Sequence, residues 1–169
     1  MELITDAAST GYNCYLSYSD AAKRIGDMIR APNWKAASET QHKRALITSS
    51  KLLDRYVKWY GNPTVQTQTM AWPRQHVQVR DRELGAYLDK DTLPEFLKEI
   101  TIEYAEALLG EDLIASQETG LSSLSVGGIA LNFNQIDRKD VMPDGVKMLA
   151  GDYGIVRTGQ SSVVSVMRR

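Results

Sequence analysis

Apolar residues recur with a helical period in some stretches of the chain and with a strand period in others. Residues 1–15 show neither period and carry turn residues, Gly11 and Asn13 among them, so they are expected to form an extended arm. Ser17 and Asp20 have capping-box spacing, with Asp in place of the usual Glu, and predict a helix over about 18–29. Ile25 and either Met28 or Ile29 are its expected inward residues, and Ala31, Pro32 and Asn33 its expected end. Ser38 has the chemistry of an N-cap, with Glu39 in the first turn behind it. From there Ala45, Ser49, Leu52, Tyr56 and Trp59 alternate four and three apart, flanked by Leu46, Leu53, Val57 and Tyr60, which is one face of a long helix. Gly61 is placed to end it and Pro63 to block its continuation.

Residues 62–93 read as a long connection dominated by Pro63, Pro73, Gly85, Asp89 and Asp91, with Val77 and Val79 in a short strand. A connection of that length inside a small domain is usually functional or ordered by a partner. Thr92 caps the next predicted helix, with Pro94 in its first turn. Phe96, Leu97, Ile100, Tyr104, Ala107 and Leu108 share its inner face, and Gly110 closes it. The period changes at about 121–134, where Leu124 and Val126 alternate, then Ile129, Leu131 and Phe133, with Gly127 and Gly128 between. This predicts a β-hairpin with one packed face. Pro143 opens a short final helix to Ala150, with Val146 and Leu149 inward. Residues 153–169 hold no acidic residue and are expected to form an extended tail that orders on assembly. The expected fold is therefore mainly α: a small helical bundle over 1–152 as a single domain, with an N-terminal arm and a hairpin, followed by a C-terminal tail.

Composition narrows the function little. The 169 residues suit one domain, and 43% hydrophobic with 24% charged residues is ordinary. A formal net charge of -1 gives no global drive towards nucleic acid or membranes, so any such surface must come from uneven charge distribution. The distribution is uneven. On a helical wheel Arg44, Lys51, Arg55 and Lys58 fall on one side of the second long helix, and Glu95, Glu99, Glu103 and Glu106 on one side of the third. Like charges at this spacing destabilise an isolated helix, by a few tenths of a kcal/mol per pair. Three readings fit: two solvated faces, pairing of the stripes within or between subunits, or an acidic stripe that lines a channel and repels passing DNA.

Catalytic and metal patterns are weak. Cys14 is the only cysteine, which excludes an intramolecular disulfide and a cysteine zinc cluster and suits a small buried residue. His42 and His76 lie in different predicted elements and are expected at the surface or in loops rather than as ligands. Asp137, Asp140 and Asp144 have no calcium-loop spacing. No GxSxG or Walker pattern is present, and Glu103 with Glu99 or Glu106 lacks the apolar pocket an acid/base pair needs. No enzyme activity, metal or cofactor is expected. No apolar run reaches the ~18 residues of a membrane span, and the acidic first residues do not read as a signal peptide. Single-stranded nucleic acid is the serious alternative. Arg44, Lys51, Arg55 and Lys58 would be its track, and Tyr56, Trp59, Tyr60, Trp72 and Arg74 its stacking platform. Against it, Tyr56 and Trp59 fall on the Leu52 side of the wheel, where aromatics are usually core.

Several short motifs occur in a telling order. Tyr15, Leu16, Ser17, Asp20 and Ala21 precede a helix carrying Ala45, Leu46, Ile47, Ser49, Leu53, Asp54 and Tyr56. Thr67, Gln68, Trp72, Pro73 and Arg74 follow, then helices opened by Pro94 and by Pro143 with Val146. In this order the chain resembles a family of small tailed-phage proteins, often labelled DnaT-like single-stranded-DNA-binding proteins, that act as head-to-tail adaptors. The resemblance implies a structural protein of the virion neck, assembled in the host cytoplasm. It would form a ring, usually of twelve copies, between the portal and the tail or tail-completion protein, with DNA only as passing cargo and no membrane. On this reading Trp59, Tyr60, Trp72, Pro73 and Arg74 pin the long connection to the core, with Arg74 paired to a carboxylate. Val163, Val164, Val166, Arg168 and Arg169 of the tail would contact the portal or a neighbouring copy.

Overall fold

Side-chain caps set where the first helices begin. Ser17 accepts from the Asp20 N–H at 3.1 Å and starts α1, Tyr18–Asp27. Ser38 accepts from the Gln41 N–H at 3.5 Å while the Gln41 side chain takes the Ser38 N–H at 2.8 Å, a complete capping box at the start of α3, Glu39–Tyr56. The computed structural model describes residues 2–80, 85–110, 123–126, 129–132 and 140–157. Its remaining helices are α2, Pro32–Ala36, α4, Glu95–Gly110, and α5, Asp144–Gly151.

The core is organised by α3 against α4. Leu52 and Leu53 of α3 cluster with Phe96, Leu97 and Ile100 of α4, while Ala45, Leu46 and Ile47 cluster with Ile102 and Ala105. The two helices therefore run antiparallel. The second cluster is closed by Ile25 of α1 and Trp34 of α2, the first by Val146 and Ala150 of α5. Among the described residues the sheets are all two-stranded. β1, Val57–Trp59, pairs antiparallel with β6, Gly154–Val156; β2, Asn62–Pro63, pairs with β3, Arg74–Gln75. β4, Ser123–Val126, and β5, Ile129–Asn132, form the expected hairpin, with Leu124 opposite Leu131.

Four expectations need correction. First, the long helix stops at Tyr56, and residues 57–59 are extended. Val57 is β-branched and prefers this conformation. Val57 and Trp59 are buried and Lys58 is exposed, so strand period satisfies the same apolar residues, and β6 supplies the hydrogen-bonding partner. Second, the body does not end at residue 152, because β6 pairs into it. Third, α1 ends at Asp27, and Met28 and Ile29 point outward, with Ile29 98% exposed. Fourth, Pro32 does not merely end a helix but opens α2. The predicted strand at Val77 is a single bridge, Gln78 to Tyr87, bracketed by Val79 N–H to Ala86 O and Leu88 N–H to Val77 O, each 2.8 Å.

Trp72 fixes the long connection to this frame. It is fully buried, and its ring meets Trp59 and Phe96 edge-on, each at a centroid distance of 5.6 Å. Trp72→Ala should cost about 3–5 kcal/mol of unfolding free energy, the range for a large aromatic removed from a packed core. Urea titration followed by far-UV circular dichroism checks this; a loss below about 1 kcal/mol would mean the site collapses around the gap.

Candidate functional site

Arg74 and Asp54 hold the connection from beneath. The Arg74 guanidinium donates to backbone carbonyls of Tyr60 (2.7 Å), Gly61 (2.7 Å), Ala71 (3.1 Å) and Trp59 (3.4 Å). The expected carboxylate pair is thus replaced by a fan of carbonyls that the planar fork can span. Asp54 accepts from the Tyr15 hydroxyl and, at 2.9 Å, from the Ala71 N–H. Burial pushes its carboxyl above the ordinary aspartate range, and the Tyr15 and Ala71 hydrogen bonds oppose that shift. Gly61 sits at φ +67°, with the Gln75 carbonyl where a Cβ would be, so only glycine fits this turn.

The acidic residues of α4 are spent mostly inside the subunit. Glu106 accepts from the N–H groups of Asn33 (2.9 Å) and Trp34 (2.7 Å), and so caps α2, whose own N-cap, Ala31, has no side-chain acceptor. Glu95 pairs with Arg24 of α1 and with Lys98. Glu103 is half-buried against Gly145 at the start of α5, and burial, then Glu99, raises its carboxyl above the usual range. Glu99 is exposed. None of these carboxylates pairs with the basic residues of α3.

Lys43 of α3 pairs with Glu39, and the residues of the predicted basic row stand apart from it. Arg44, Lys51 and Arg55 are all exposed and fall within about 40° of one another around α3. They span about 16 Å along its axis. Lys58 is exposed on the outer face of β1, opposite the exposed Ile155. Among the described residues, no carboxylate forms an ion pair with any of the four. Of the five residues expected in a stacking platform, the structure keeps only Tyr60 open, at 48% exposure. Trp59 and Trp72 are core, Tyr56 is half-buried and Arg74 is occupied by carbonyls.

Other sequence candidates fall elsewhere. His42 is buried rather than at the surface: its ring stacks on Trp34 at 4.0 Å, and Nε2 lies 2.8 Å from the Trp34 carbonyl oxygen. His76 is exposed in a loop at φ +61°. Cys14 is fully buried beside Ser50, and burial raises its thiol above the ordinary value. Among the described residues, no group of three or more His, Cys, Asp or Glu side chains converges as a metal site would require. No described helix is long and apolar enough to cross a membrane. Val163, Val164, Val166, Arg168 and Arg169 lie outside the described residues, as does Asp137.

Comparison with protein families finds a match over residues 1–169 to the family described as "Putative DnaT-like ssDNA binding protein". No curated protein and no solved structure matches the chain.

Two outcomes are expected at the anchoring cluster. Arg74→Lys should lower unfolding free energy by about 1.5–3 kcal/mol, because one ammonium cannot reach the carbonyls that the fork holds together. An unchanged urea midpoint would show those contacts to be dispensable. For Asp54, the folded carboxyl holds its proton more tightly than the unfolded one. Its contribution is therefore fully present below the ordinary aspartate range and lost as pH rises through the folded value. The stability of the wild type relative to Asp54→Asn should fall across that interval in urea titrations at stepped pH; a gap independent of pH would contradict the burial argument.

Proposed function

The chain belongs to the DnaT-like ssDNA-binding family, and from that premise we propose that it binds single-stranded DNA along the basic row of Arg44, Lys51, Arg55 and Lys58. The observation that carries this reading is the row's lack of acidic partners among the described residues, although the chain as a whole is formally -1. Local charge, not net charge, sets the potential a phosphate meets. Each cation that neutralises a phosphate releases a condensed counterion, so binding is salt-dependent and indifferent to sequence. The carboxylates of α4 support the arrangement by serving α1, α2 and α5 instead of quenching the row.

A second reading is favoured by the β4–β5 hairpin. In sequence Leu124, Val126, Ile129 and Leu131 alternate across the paired strands, the pattern of a ribbon with one face packed on another surface. In this reading that surface is a neighbouring copy or a portal protein. The chain is then a head-to-tail adaptor in the virion neck, a ring of twelve copies between portal and tail-completion protein. The tail residues Val163, Val164, Val166, Arg168 and Arg169 make further contacts between proteins, and DNA passes through as cargo.

The deciding measurement is binding of a labelled 30-nucleotide oligo(dT) across a salt series, with the cognate portal tested in parallel. Replacing Arg44, Lys51, Arg55 and Lys58 by Gln should flatten the slope of log K against log salt by about 0.7 for each phosphate contact removed. Stability should change little, since surface substitutions usually lie within about 0.5 kcal/mol each. A wild type that ignores DNA yet joins the portal as a ring would replace the first reading by the second.

A further inference from the structure

We propose that a strand lying along the basic row stacks one base on the exposed ring of Tyr60, so that this residue selects unpaired bases over duplex. The proposal rests on the single-strand reading above and adds to it a contact that the charge row cannot make.

The ladder between β1 and β6 extends past both strands. Arg157 N–H donates to Tyr56 O at 2.6 Å, and Tyr60 N–H donates to Tyr153 O at 2.9 Å. Residues 57–60 therefore keep strand alternation: Val57 and Trp59 are buried, Lys58 and Tyr60 exposed. Lys58 and Tyr60 share the outer face about 7 Å apart along the strand. A base on the ring thus has a cation within reach of its phosphate.

The ring is also carried on a fixed backbone. Tyr60 donates its N–H to Tyr153 and gives its carbonyl to Arg74 Nε at 2.7 Å, while the left-handed Gly61 turns the chain away behind it. A platform already in place loses little freedom when a ligand arrives. Stacking on an aromatic ring suits any base, because every base has a π-face. A paired base has both faces covered by its neighbours in the duplex, so only an unpaired one can use the ring.

The test compares the full-length wild type, Tyr60→Ala, Tyr60→Phe and the four-Gln basic-row variant. The probes are labelled oligo(dT) and an abasic oligonucleotide of equal length, both at one salt concentration. The wild type should prefer oligo(dT) by about 5- to 150-fold, the worth of one stacked base. Tyr60→Phe should keep that preference, and Tyr60→Ala should lose it while binding the abasic strand as well as the wild type does. The basic-row variant should weaken on both strands and keep the ratio. A wild type without preference, or a Tyr60→Ala that retains it, overturns the stacking proposal and leaves backbone binding intact. Failure of both strands to bind overturns the single-strand reading, and the stacking proposal with it.

Discussion

The Trp72 indole lies edge-on to Trp59 and to Phe96, and the Phe96 ring in turn stacks on Tyr153 at 3.8 Å. These rings come from the long connection, from β1, from the first turn of α4 and from the link between α5 and β6. Segments far apart in sequence therefore meet in one aromatic contact, and displacing any ring would leave its neighbours with an unfilled gap. The Trp72 Nε1 has no hydrogen-bond partner among the described residues. Shape, rather than polar satisfaction, keeps the indole there. The polar work is done beside it: Asp54 and Arg74 both bind the backbone of Ala71, the residue just ahead of the ring.

Charge is arranged by the same division between inside and outside. On α4 the carboxylates turn towards neighbouring elements and complete them, most clearly where Glu106 supplies the cap that Ala31 cannot. On α3, Arg44, Lys51 and Arg55 are exposed, whereas Lys43 pairs with Glu39 and lies over the Tyr18 ring of α1. A chain close to neutral can in this way present one cationic strip, because its negative charge is engaged elsewhere. A net-charge argument alone would miss that strip.

Features set by neighbouring residues were legible in the sequence. Ser17 and Ser38 act on N–H groups three residues away, and both helix starts are where capping chemistry puts them. Arg44, Lys51 and Arg55 lie on one face because they belong to a true helix. What depended on distant partners was not legible. The switch from helix to strand after Tyr56 needs residues 154–156, nearly a hundred positions on, and Val57 and Trp59 suit either period. That switch decides which aromatic is open: on a helix Trp59 and Tyr60 are adjacent and both flank the core, whereas on a strand they point to opposite sides. Five-residue α2 is too short to show a period, and its cap comes from Glu106.

The passage of α3 straight into β1 has a geometric side. Val57 donates its N–H to Leu53 O, closing the last helical turn, and is already paired with Val156 in the ribbon. No loop separates the two elements, so one residue serves both, and the last turn of α3 sets the direction in which the ribbon leaves the core.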